Sequence, residues 1–180
     1  MLVVNLFGAP SCGKSTLALL IGGLLKTEHP HLASEVPDEV AKFLVYDEAP
    51  KALRCQPLIM GQQLWQIARC SGHADVVVTD SPILLSAVYG QEYGQDTPPS
   101  FLDVCHHYHC SFPTLNYLVE RRHAFETKAR VQNEEEAERI DRHIRTVLSA
   151  CDVTYATVNS TWDHARRIVS DIVTKIEKSR

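Results

Sequence analysis

No stretch of this 180-residue chain reaches the roughly 18–20 consecutive apolar residues that a membrane-spanning helix requires, although 44% of its residues are hydrophobic. The apolar content therefore goes into a core. Positive charge is not in excess either: 18 Lys and Arg stand against 22 Asp and Glu, for a net charge of -4. That excludes the broad basic footprint that grips duplex DNA non-specifically, while leaving a local basic patch open. No two cysteines are spaced CxxC. The six (positions 12, 55, 70, 105, 110 and 151) are scattered, which reads as reduced, mostly buried thiols of a cytoplasmic protein. No Pro/Gly/Ser-rich linker, internal repeat or low-complexity tract divides the sequence, so one domain over residues 1–180 is expected. The opening MLVVNLFGAP lacks the basic segment of a secretory signal and reads as a buried strand.

What is present alternates. Residues 2–7 form a continuous apolar run interrupted by Asn5, as suits a strand buried on both faces of a parallel sheet. KSTLALLIGGLLK follows as a helix. HLASEV (31–36) reads as a second strand, and PDEVAKFLVYD as a helix with Pro37 at its first position. PLIMGQQLWQIARCSGH is a longer helix ending near Gly72. DVVVTD (75–80) is the clearest strand, with an acid at its carboxyl end. SFLDVCHHYHC, NEEEAERIDRHIRTVLSA and TWDHARRIVSDIVTKIEK read as helices, the last capped by Thr161; TLNYLVE and VTYATV read as strands four and five. Strands alternating with helices predict an α/β fold with a parallel sheet covered on both sides.

Residues 8–16, GAPSCGKST, satisfy G-x-x-x-x-G-K-[ST] through Gly8, Gly13, Lys14 and Ser15, with a strand before and a helix after. The glycines let successive N–H groups turn toward an anion, the helix adds its positive end, and the lysine reaches the terminal phosphates. The loop Gly8, Ala9, Pro10, Ser11, Cys12, Gly13, Lys14, Ser15 and Thr16 is thus the candidate ATP-binding segment. Ser15 offers a hydroxyl for Mg2+, and Asp80, ending the VVVTD strand where ligands gather in open α/β sheets, offers the second metal-side oxygen. An aspartate there also fits a helix cap before SPILLS. The fold expected is a P-loop NTPase three-layer sandwich with a five-stranded parallel sheet and a small lid.

Three uses of such a loop are open: motor, switch and kinase. A motor appends a helical lid domain and a sensor region, for which this chain has no room. A guanine-nucleotide switch carries N-K-x-D, which is missing. A small kinase needs a basic lid and an acceptor site. The lid candidate is residues 120–133, with Arg121, Arg122, Lys128 and Arg130 placed to stabilise charge on the transferring phosphoryl group. A solvated loop paired with Glu134, Glu135 and Glu136 is the plainer reading of the same residues. The acceptor candidate is SEVPDE, where Glu35, and after it Asp38, can orient a hydroxyl proton; Glu39 reads as a helix-start acid. The other class of function is a nucleotide-binding regulatory module that hydrolyses ATP without transfer to an acceptor.

VNLFGAPSCGKST, VVVTDSPILLSAVYG and NYLVERRHAFETKARVQNEEEAERID together resemble the small P-loop ATPase/kinase proteins common in bacteriophage genomes, which are similar to nicotinamide riboside kinase and thymidylate kinase. The resemblance implies a nucleoside- or nucleotide-kinase-like core with ATP as donor. It carries Lys14, Ser15, Asp80, Arg121, Arg130 and Glu35 into their family roles. It also implies 5-hydroxymethyluracil in DNA as an acceptor beside free nucleosides and nucleotides. Asp80-Ser81-Pro82 stands where thymidylate kinases carry aspartate-arginine, and Ala129 where a glycine often precedes the lid arginine.

CHHYHC (105–110) has zinc-ligand residue types without zinc-ligand spacing. On a helix, Cys105 and His109 share one face and His106 and Cys110 the next, so one metal draws two ligands, not four. It reads as a partly buried helix with surface histidines. Trp65, Tyr89, Tyr93 and Phe101 read as core aromatics, with Tyr89 and Tyr93 near the expected acceptor cleft.

Overall fold

The computed structural model describes residues 1–93, 97–121 and 134–179. Its elements run β1 (Leu2–Phe7), α1 (Lys14–Glu28), β2 (Ser34–Glu35), α2 (Val40–Tyr46), α3 (Pro50–Arg54), α4 (Gln56–Ala68), β3 (Val76–Thr79), α5 (Ile83–Tyr93), α6 (Phe101–His109), β4 (Thr114–Val119), α7 (Glu134–Ala150), β5 (Ala156–Val158) and α8 (Trp162–Glu177). The strands form one all-parallel sheet in the order β2-β3-β1-β4-β5. This is the expected five-stranded α/β sandwich.

Alternation along each strand separates two cores. Leu2, Val4, Leu6, Val76, Val78, Tyr117 and Val119 face α1 and α8. Val3, Phe7, Val77 and Leu118 face the layer formed by α4, α5, α6 and α7. All six residues of β1 are buried, because the strand is central and covered on both sides. Among the described residues no helix is long and apolar enough to cross a membrane.

Several boundaries differ from the sequence expectation. β2 is two residues long, at the sheet edge, and pairs only with β3. The next helix begins at Val40 and not at Pro37, with Glu39 extended at its cap (φ -76, ψ 110). A further short helix, α3, starts on Pro50, for which the sequence reading assigns no element. α4 stops at Ala68, and the chain turns through Gly72 at φ +79. Thr161 caps α8 as expected, accepting a hydrogen bond from the His164 N–H.

Two burial expectations are corrected. Trp65 is 65% exposed, not core. The buried stripe of α4 is Gln56, Ile59, Met60, Gln63 and Ile67, spaced at helical period, and Trp65 falls on the opposite side. His109 is only 6% exposed, so the histidine-rich helix is not all surface there. Burial pushes its pKa down to about 4, with His106 adding to the effect. Of the cysteines, all free, 12, 105 and 151 are buried, 55 and 70 half-buried and 110 exposed.

Candidate active site

The segment between β1 and α1 wraps tightly because of its glycines. Gly8 sits at φ +146, and a Cβ there would lie 2.6 Å from the Cys12 Sγ and 2.7 Å from the Val119 carbonyl oxygen. Gly13, at φ +94, is the left-handed cap of α1, and a Cβ would collide with Ser160. Ser11 also takes a positive φ of 65. No side chain caps α1, so the first-turn N–H groups have no intrahelical partner and point toward the loop. Together with the helix dipole they form a site for anions.

Lys14 lies across this loop. Its ammonium donates to the carbonyl oxygens of Gly8 (2.8 Å) and Ala9 (3.1 Å) and lies 3.9 Å from the Cys12 Sγ. Burial pulls its pKa down, but Cys12, Tyr89, Glu39 and Asp80 together push it up, and the net direction is upward. The lysine is therefore held as a cation. Asp80, 7% exposed, follows β3. Ser15 and Thr16 are exposed on the first turn of α1. A serine hydroxyl and an aspartate carboxylate are hard oxygen donors, the chemistry Mg2+ takes when nucleotide phosphates complete its shell. Among the described residues no group of three His, Cys, Asp or Glu is gathered so as to hold a metal ion by itself.

The acceptor-side acids separate. Glu35 is exposed at the end of β2, where its charge falls on Cys70. Asp38 is exposed in the connection to α2. Glu39, half-buried, is the carboxylate of that segment whose charge reaches both Lys14 and Tyr89. Sequence reasoning had given Glu39 to the helix start. The helix begins three residues later than expected, so Glu39 stands extended at its cap instead of inside its first turn.

From the other side comes α5. Tyr89 and Tyr93, one turn apart, stack with ring centroids 6.0 Å apart and planes at 10°. Burial pushes the Tyr89 phenol up to about 12, against the lowering influence of Lys14. It remains a neutral hydroxyl. Past β4, Glu120 accepts from Arg145 at 3.1 Å, and Arg121 is half-buried. Arg122, Lys128 and Arg130 lie outside the described residues.

One contributor was missed in the sequence. The turn after β5 presses Ser160 against Gly13. It is held by His164 Nδ1 at 2.7 Å from Asn159 Oδ1 and 3.0 Å from Thr161 Oγ1. The signal was available: a polar NST segment at the carboxyl end of a strand.

The family described as AAA domain matches residues 3–167, and this chain belongs to it. No curated protein matches it in sequence. Among solved structures, the deoxyadenosine kinase of M. mycoides with bound dATP aligns with a TM-score of 0.59 at 12% identity, covering 96% of this chain and 99% of that one. Thymidylate kinase from Ehrlichia chaffeensis gives 0.60 at 13%, covering 96% and 98%. Shikimate kinase from Aquifex aeolicus gives 0.50 at 14%, covering 98% and 97%. At these identities the likeness shows the fold, that of the P-loop kinases. None of these three is a phage protein or is named for a hydroxymethylated base.

Proposed function

We propose that this member of the AAA domain family is an ATP-dependent kinase that transfers the γ-phosphate to a hydroxyl of a nucleoside or nucleotide. The observation that carries the reading is the convergence on Lys14 of groups from both sides. The loop that would hold the donor carries it, and Asp80 after β3, Glu39 in the β2–α2 connection and Tyr89 on α5 all bear on it electrostatically. A carboxylate and a neutral phenol whose influence reaches the lysine suit a site that also handles an acceptor hydroxyl.

In this reading the N–H groups at the start of α1 bind the donor's phosphates. Lys14 leaves the Gly8 and Ala9 carbonyls to meet the charge that grows on the transferring group. Ser15 and Asp80 are the residues that would hold Mg2+, which when bound would screen that charge. Glu39 takes the place that sequence had offered first to Glu35 and then to Asp38, orienting the acceptor hydroxyl and receiving its proton. Tyr89, un-ionised, donates to an oxygen beside it. Arg121, with Arg130 beyond it in sequence, supplies cationic cover. The turn at 159–164, packed on Gly13, borders the donor's nucleoside end.

The test is transfer of labelled γ-phosphate to deoxyadenosine, thymidine, their monophosphates, shikimate and hydroxymethyluracil-containing DNA. Label in an organic ester supports the reading. Label only in orthophosphate across the panel overturns it in favour of an ATP-hydrolysing regulatory module.

A further inference from the structure

Between α5 and α6 lies a cavity of about 250 Å³. Its wall on α5 is Ala87, Gly90 and Gln91. At 3.6 residues per turn, Gln91 stands roughly 200° round the helix from Tyr89, so the cavity opens on the side of α5 turned away from that phenol. Among the described residues, none of Lys14, Glu39, Asp80 and Tyr89 lines it. It is a second place, separate from the phosphate loop.

The cavity is built into the fold. The Thr97 hydroxyl donates to the Gly90 carbonyl at 3.0 Å, fastening the turn before α6 to α5. A Cβ on Gly90 would lie 2.9 Å from the Thr97 Cγ2 and 3.4 Å from the Phe101 Cδ1, so glycine lets the turn and α6 come this close.

The lining says what would fit. Pro98, Pro99 and Phe101 offer ring faces, and Leu102 and Ala87 add apolar surface. No charged side chain is in the lining, so a phosphate or another ion would be desolvated there without a partner. Gln91 is the side-chain amide of the wall, and its Oε1 is hydrogen-bonded to the His143 Nε2 on α7. His143 is itself fixed, with Nδ1 3.1 Å from Glu92, which also accepts from Arg139 at 2.8 Å. With its oxygen so engaged, the amide offers a ligand its NH2, a donor. Size completes the description: an apolar cavity of about 150 Å³ is enough to hold benzene, and this one takes a second fused ring.

We propose that this cavity is a binding site for a neutral two-ring heteroaromatic compound whose unprotonated ring nitrogen accepts a hydrogen bond from the Gln91 Nε2. The proposal stands independently of the kinase reading, since it uses no residue of that site.

The experiment is a titration of the full chain, followed by amide-resolved NMR, with two probes above neutral pH. Benzimidazole has the acceptor nitrogen; indole has the same two-ring size and lacks it. Benzimidazole should shift the Gly90, Gln91, Thr97 and Leu102 amides saturably, with a dissociation constant below about 1 mM. Indole should bind at the same residues roughly 3- to 10-fold more weakly, the worth of one neutral hydrogen bond. Added ATP should leave both constants within about twofold. Gln91→Leu should bring benzimidazole down to the level of indole and leave indole unchanged. Leu102→Trp, with Pro99→Trp at the exposed rim as a second filling variant, should abolish the binding of both. A preference for benzimidazole that survives Gln91→Leu, or equal affinity of the two probes for the wild type, overturns the proposal. So does binding that persists in a folded filling variant, shifts confined to residues 8–16, or no saturable shift at all.

Discussion

On one face of the sheet, α1 and α8 close over Leu2, Val4, Leu6, Val76, Val78, Val119 and Val158. Among the described residues the buried polar groups there are the Tyr117 hydroxyl, which donates to Asp171 on α8 at 2.8 Å, and Ser34 at the sheet edge, in register with Val76. On the other face the same strands present Asn5 and Thr79, paired in register across β1 and β3, and α4 and α6 add Gln63 and His109. Asn5 donates to Asn116 at 2.9 Å, extending the polar row to β4. The apolar face carries the helix that follows the phosphate loop and the turn that packs on Gly13. The polar face carries α4 and α5, and with them Gln63 and Tyr89. Phosphates are the constant part of any nucleotide reaction and suit a rigid apolar support. The acceptor is the variable part, and on the proposed reading the buried polar groups of the other face are the ones that would give it direction.

If the division holds, changes on the two faces fail in different ways. The largest effect should come from Lys14→Ala. Loss of one group that meets transition-state charge costs roughly 10²–10³-fold in kcat, and the melting temperature should stay within a degree or two, about what an unstrained surface change gives. A variant that melts well below wild type would mean the lysine's bonds to Gly8 and Ala9 hold the loop together, merging catalysis with stability on that face.

Acid should strike the polar face. Burial holds the His109 pKa at about 4 against 6.5 in the open chain. Between those values the unfolded state binds a proton that the native state does not, so stability is fully present above about 6.5 and is lost as pH falls toward 4. The contribution is on the order of 2–3 kcal/mol. Chemical denaturation from pH 7 to pH 4 should show that loss in the wild type and a shallower slope in His109→Leu. Equal slopes would remove His109 from the account.

On the apolar face, Tyr117→Phe deletes a half-buried hydrogen bond to a carboxylate and should cost about 1–2 kcal/mol of stability, with kcat unchanged. Thr161→Ala, at the cap of α8, should cost about 1 kcal/mol. Because the turn it anchors touches Gly13, the KM for ATP should rise in this variant more than the KM for the acceptor. A change confined to the acceptor KM would contradict the division of faces.

The donor side was legible in the sequence because its chemistry is contiguous: residues 8–16 are neighbours in the chain and make one loop. The sheet was legible because parallel strands buried on both faces read as apolar runs, as in Leu2–Phe7 and Val76–Thr79. The proposed acceptor side was not, because the residues assigned to it come from segments far apart in the chain. Glu39 depended on where α2 begins, and Pro37 suggested a start three residues too early. Trp65 depended on helix phase: a tryptophan in α4 reads as core until Ile59, Met60 and Ile67 are aligned on one stripe, which leaves it on the opposite side. The lid arginines past Arg121 remain an expectation from sequence alone.

Central to the account is that the γ-phosphoryl group passes to an organic hydroxyl rather than to water. Single-turnover rapid quench, with enzyme in excess over labelled ATP and the best acceptor saturating, measures that partition directly. The account predicts most of the label in the phosphate ester within one turnover, and neither product accumulating at that rate in Lys14→Ala. Label appearing first and only as orthophosphate, at the same rate with and without acceptor, would contradict it.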